Sequence, residues 1–137
     1  MSHADSEQRE KQIVKLLAII YNAVDWSKMR TSKNPHDIFN HRVRAASRRA
    51  TLYEAVSKLA NYFGLQSLPA EALELIQELR PHEREVLNKL YTEHIPMSML
   101  AIMRAKEIRD ERKRAAKRQQ DNSELAPSNL EEVLTDG

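Results

Sequence analysis

The chain contains no cysteine, which excludes disulfides, thiolate nucleophiles and sulfur-ligated zinc. It has two glycines, Gly64 and Gly137, so tight hairpins and glycine-rich phosphate loops are nearly excluded too. Long apolar runs are missing: the longest, residues 16–20, is far too short to cross a bilayer. Aromatic residues make up 5 % of the chain, and along the sequence none interleaves with the basic clusters as a base-stacking platform requires. The first residues, MSHADSEQREK, mix acids with bases and lack the apolar centre of a secretory signal. Cytoplasmic residence, without a membrane partner, is the expectation.

Catalytic chemistry is equally sparse. The five histidines are His3, His36, His41, His82 and His94. Asp37 and His41 lie four apart and can share a helix face, but no spacing completes a zinc or iron site. No serine sits in a nucleophile-elbow context, and no isolated carboxylate pair lies in an apolar segment. The sequence therefore predicts a non-enzymatic protein with no catalytic residue, no metal, no cofactor and no small-molecule substrate.

What the chain does have is helix. Its 137 residues suit one ordinary domain able to bury a core. Charged residues at 31 % and a mean hydropathy of −0.66 point to much solvent-exposed helix. Ser6 is a plausible cap for a first helix over about 7–25, where Ile13, Leu16, Leu17, Ile20 and Val24 recur at helical spacing. Val14, Ile19 and Tyr21 add apolar surface off that stripe, so this helix is either central to a bundle or shared with a partner. Trp26 and Met29 lie in a polar connection that follows.

Asn34 as cap, Pro35 at the first helical position and Asp37 near the dipole's positive end start a second helix. Gly64 suits the position just past its end. Between them Ile38, Ala45, Leu52 and Leu59 recur every seven residues, joined by Val56 and Phe63. That stripe predicts one continuous helix of about seven turns. Ser67 and Pro69 open a third helix to about 79, with Leu68, Ala72, Leu75, Ile76 and Leu79 inward. Pro81 restarts the chain for a fourth to about 94, with Val86, Leu87, Leu90 and Tyr91 inward. Pro96 then breaks the chain, and Ser98 can cap a fifth helix.

After Ile108 nothing larger than alanine can be buried until Leu125, so RDERKRAAKRQQ cannot pack through an apolar face. Pairs such as Lys106–Asp110 and Asp110–Arg114 lie four apart and add a few tenths of a kcal/mol each, about 0.2–0.5. The expected fold class is all-α, a bundle of about five helices with a long second helix, a projecting basic C-terminal helix and a disordered acidic tail. The expected divisions are a disordered N-terminus at 1–6, a helical core at 7–108, the projecting helix at 109–118 and the tail at 119–137.

The formal charge of +2 conceals strong local polarity. Residues 26–66 hold eight Lys or Arg against two Asp or Glu, and residues 99–118 eight against three. Residues 67–98 are acidic, three against six, and residues 119–137 carry five acids and no base. On a helical wheel the apolar stripe of the second helix spans about 60°, with Arg44 and Arg48 on one flank and Arg42 and Arg49 on the other.

Two readings of these arginines stand side by side. They pair with Glu71, Glu74, Glu78, Glu83 and Glu85 while their stems cover apolar surface. Or they contact phosphates or an acidic protein surface, where a planar, permanently charged fork is favoured over lysine. The second cluster, Arg104, Lys106, Arg109, Arg112, Lys113, Arg114, Lys117 and Arg118, is harder to neutralise internally and suits a nucleic-acid backbone. In the tail, SNLEEVL reads as a capping box, Ser128 with Glu131, followed by Leu130, Val133 and Leu134 as a partner-binding face.

LRPHEREVLNKL, residues 79–90, has Pro81 before Glu83, Arg84, Glu85, Val86 and Leu87. It resembles the opening of the helix-turn-helix in LuxR-type regulators and sigma-factor region four, and the resemblance implies a DNA-binding role. It covers roughly a tenth of the chain. Where those families continue with a short positioning helix and a recognition helix, this sequence has Pro96 and then a single long helix. No family assignment rests on it.

The sequence thus points to a nucleic-acid-binding accessory or regulatory protein, DNA before RNA, acting through phosphates and associating as a homodimer. The alternatives are a protein-binding adaptor or inhibitor of a mobile-element type, and a self-assembling helical structural subunit.

Overall fold

The computed structural model describes the backbone of residues 3–29, 33–93 and 95–136, and the side chains of residues 5–29, 33–93 and 97–122. Six α-helices and two short 3₁₀ turns account for the regular structure among the described residues, and no strand occurs there. The helices are α1 (His3–Ala23), α2 (Pro35–Ser47), α3 (Leu52–Tyr62), α4 (Ala70–Leu79), α5 (Glu83–Thr92) and α6 (Ile95–Asp136). The chain divides into two units, residues 1–105 and 106–137.

The apolar surface of α1 is enclosed by its own chain. Ile13, Leu16, Leu17, Ala18, Ile19, Ile20, Tyr21 and Val24 are all buried, and α1 packs against α4 and α5. Each fully buried Leu or Ile contributes about 1.5–3 kcal/mol. Polar contacts pin the rim. Gln12 donates to Glu78 at 2.8 Å, Arg9 meets Glu85 at 3.0 Å, and Asn22 Nδ2 donates to the Ala105 carbonyl in α6 at 2.9 Å. The choice posed by the sequence therefore falls on a central helix. The apolar surface on which the homodimer expectation drew is thus covered within the chain. The helix also begins at His3, ahead of the cap expected at Ser6.

The long second helix is not formed. Asn34 caps α2 by accepting from His36 N–H, as expected, but the helix stops at Ser47. Arg48 is extended, Arg49 has φ 54°, and Thr51 caps a new helix by accepting from Glu54 N–H at 3.2 Å. Leu52 N–H, another donor at the start of α3, is met by the Glu83 carboxylate from α5 at 2.7 Å. The break lets α2 and α3 fold back on each other, so both bury an apolar face, which one straight rod cannot do.

The inward face of α2 accordingly shifts. Phe39, Val43 and Ser47 are buried along with Ile38, whereas Ala45 is exposed. Gly64, at φ 78°, ends α3 as expected; its left-handed conformation lets Leu65 N–H return to the Ala60 carbonyl at 2.9 Å.

Trp26 and Phe63 meet at 5.1 Å, and Phe39 meets Tyr21 at 5.1 Å and Phe63 at 5.9 Å, joining α1, α2 and α3 through aromatic rings. Trp26 Nε1 donates to the Tyr21 carbonyl at 3.0 Å, so the indole enters the cluster with its polar atom satisfied.

Helix α4 buries Ala72, Leu75, Ile76 and Leu79 as expected. In α5 Val86 and Leu90 are buried, but Leu87 is half-buried and Tyr91 is exposed rather than inward. Ser98 does not cap α6: it lies inside the helix, buried, because the helix already starts at Ile95 and takes Pro96 in its first turn. The side chains of the expected tail face, Leu130, Val133 and Leu134, and of the Ser128–Glu131 capping box lie outside the described residues.

Candidate functional site

The break after α2 decides where the four central arginines go. They do not bracket one helical seam. Arg42 and Arg44 lie on α2, about 160° apart around its axis, whereas Arg48 and Arg49 occupy the turn into α3.

The guanidinium of Arg42 stacks on Tyr62 at the end of α3. Lys28, Lys33, Asp37 and His41 line an open groove of about 720 Å³ with this pair. Asp25 closes the turn that carries Lys28. Its carboxylate accepts from the Ser27 hydroxyl and Ser27 N–H and meets Lys28 at 3.8 Å. The hydrogen bond from the Ser27 hydroxyl leads in holding the Asp25 carboxyl below its ordinary value.

Arg48 and Arg49 open onto a second cleft, of about 970 Å³, which they share with Arg84, Asn88 and Tyr91 of α5. The Arg48 guanidinium lies 5.9 Å from the centre of the Tyr91 ring. Arg49 is the one non-glycine residue among those described that has a positive φ. For a residue with a Cβ this conformation costs about 1–2 kcal/mol.

Three of the five carboxylates that the sequence offers for internal neutralisation are bound to other groups. Glu83 accepts from Leu52 N–H, Glu85 pairs with Arg9, and Glu78 accepts from Gln12. Among the described residues no ion pair reaches Arg42, Arg44, Arg48 or Arg49.

The second basic cluster spans both units. Arg104 belongs to the first, and the remainder lies in residues 106–118. Within the second unit, Lys106, Arg109, Lys113 and Lys117 fall in an arc of about 80° and extend over about 16 Å of helix. Arg114 and Arg118 share another face with Glu107 and Glu111. Arg104, Arg112, Glu107 and Glu111 each make a polar or electrostatic interaction. The expected Lys106–Asp110 and Asp110–Arg114 pairs do not form among the described residues; an attraction this weak does not hold two solvated side chains together.

Sequence reasoning missed Tyr62, Tyr91 and Arg84. The two tyrosines are 43 % and 48 % exposed and stand beside arginines that are remote in sequence. No local pattern carries that juxtaposition. Tyr91, four residues after Leu87, reads as inward by helical spacing alone.

No family model matches the chain, and neither a curated protein nor a solved structure matches it.

Proposed function

We propose that this chain is a cytoplasmic, non-enzymatic nucleic-acid-binding protein, with DNA as its first candidate ligand and phosphate contact as its main source of affinity. The observation that carries the reading is that, among the described residues, no ion pair reaches Arg42, Arg44, Arg48 or Arg49, while Glu78, Glu83 and Glu85 are bound to other groups. Unpaired guanidinium groups are forks for phosphate oxygens, and binding there releases counterions. The cationic face of residues 106–117 is a second surface of the same kind. The backward-bent Arg49 adds support, because backbone outliers concentrate where a ligand is held.

The deciding experiment is a titration with labelled duplex at two salt concentrations. Affinity falls steeply with salt, and Arg48→Glu with Arg49→Glu weakens it by at least about tenfold, the worth of roughly one charge-assisted hydrogen bond. An affinity that ignores both salt and the double substitution removes the reading.

A second reading, self-association, draws on Met99, Leu100 and Met103, which leave an apolar edge of α6 from 43 % to 58 % exposed. Light scattering over a concentration series, repeated with Met103→Glu, checks it. A mass that stays monomeric throughout disposes of it.

A further inference from the structure

The cleft beside Arg49 differs from a helix face that only tracks phosphates. It is concave, and one wall carries an aromatic ring that takes no part in the cluster of Tyr21, Trp26, Phe39 and Phe63. Tyr91 is 48 % exposed, and the Arg48 guanidinium lies 5.9 Å from the centre of its ring. The volume, about 970 Å³, lies at the upper end of what small-ligand sites occupy, so a base with its sugar and phosphate fits.

We propose that this cleft receives one unstacked nucleotide of a single-stranded nucleic acid, with its base against Tyr91 and the phosphodiester on Arg48, Arg49 and Arg84. The inference rests on the nucleic-acid reading above and narrows it.

The charge of the lining supports a strand over a free mononucleotide. Three guanidinium groups face two carboxylates, Glu54 and Glu83, which leaves a net single positive charge. Glu83 is held by Leu52 N–H and cannot swing away without uncapping α3. One positive charge matches an internal phosphodiester, whereas a terminal phosphate carries about 1.5–2 negative charges near neutral pH. Asn88, exposed on the same wall, offers an amide that can both donate to and accept from a base edge. A paired base in a duplex keeps its faces stacked and cannot lie against Tyr91 without being extruded.

Anisotropy titrations with a labelled single strand and with the duplex of the same sequence, at one salt concentration, test this. The wild-type chain binds the single strand more tightly. Tyr91→Leu weakens single-strand binding by about tenfold, the worth of one stacked base, and leaves duplex affinity unchanged. Tyr91→Phe keeps single-strand affinity, because the ring and not the hydroxyl does the stacking. Thermal melts of both variants match the wild type, since the side chain is half exposed.

If Tyr91→Leu affects both ligands equally or neither, the cleft is not a base site, although salt-sensitive duplex binding still upholds the broader reading. If the chain binds neither form, both proposals fall. A mononucleotide that competes as well as the strand overturns the assignment to a strand.

Discussion

The guanidinium carbon of Arg42 lies 3.5 Å from the centre of the Tyr62 ring, tying α2 to the last residue of α3. A cation placed over an aromatic face at a partly exposed site contributes about 0.5–1 kcal/mol. A double-mutant cycle of Arg42→Ala and Tyr62→Ala, followed by urea unfolding, gives a coupling of that size. The fluorescence of Trp26, the single tryptophan of the chain, reports the transition. A coupling of zero shows that the stacked pair only fills space.

Arg49 holds a left-handed backbone without a glycine. Arg49→Gly relieves about 1–2 kcal/mol of local cost and restores about 0.5–1 kcal/mol of freedom to the unfolded chain, a net gain of about 0.5–1 kcal/mol. Arg49→Val, β-branched, lowers stability instead. Both substitutions remove the same charge, so both weaken nucleic-acid binding alike. Stability and affinity thus move independently, and thermal melts beside titrations check this directly.

Glu83 from α5 is bound to the first backbone donor of α3. Glu83→Ala leaves Leu52 N–H without its partner and destabilises the chain by about 1–2 kcal/mol in urea unfolding. Glu83→Gln keeps an acceptor and costs less than half as much. Equal losses for the two variants show that charge, rather than the hydrogen bond, carries the effect.

How much of this was legible depends on how local each signal is. The start of α2 at Asn34–Pro35 and the end of α3 at Gly64 were readable, because each is settled within three or four residues. The break between them was not. Ile38, Ala45, Leu52 and Leu59 repeat at seven, and alanine says little about which way it faces; Ala45 turned out exposed. The cap that Thr51 supplies to Glu54 N–H, three residues on, outweighs that repeat and starts a new helix. The arginines were visible as residues but not as surfaces. Arg48 shares a cleft with Tyr91 only because the chain reverses, and the fate of Glu83 turned on a backbone donor in another helix.

The cationic face of residues 106–117 carries its own expectation. Replacing Lys106, Arg109, Lys113 and Lys117 with glutamine lowers the salt slope of duplex binding by about 0.9 for each phosphate that is no longer neutralised. These positions are exposed, so the melting of the first unit changes by less than about 0.5 kcal/mol. An unchanged slope assigns the phosphate contacts to the arginines of residues 42–49 alone.

The bond from Asn22 to Ala105 joins positions 83 residues apart, and that from Gln12 to Glu78 joins positions 66 apart. As the nascent chain leaves the ribosome, α1 therefore waits with its greasy sides in water until α4, α5 and the start of α6 have been synthesised. The α2–α3 pair can form meanwhile from near neighbours. A ribosome stalled between the two halves holds a finished hairpin beside an uncovered apolar helix, the kind of surface from which aggregation starts.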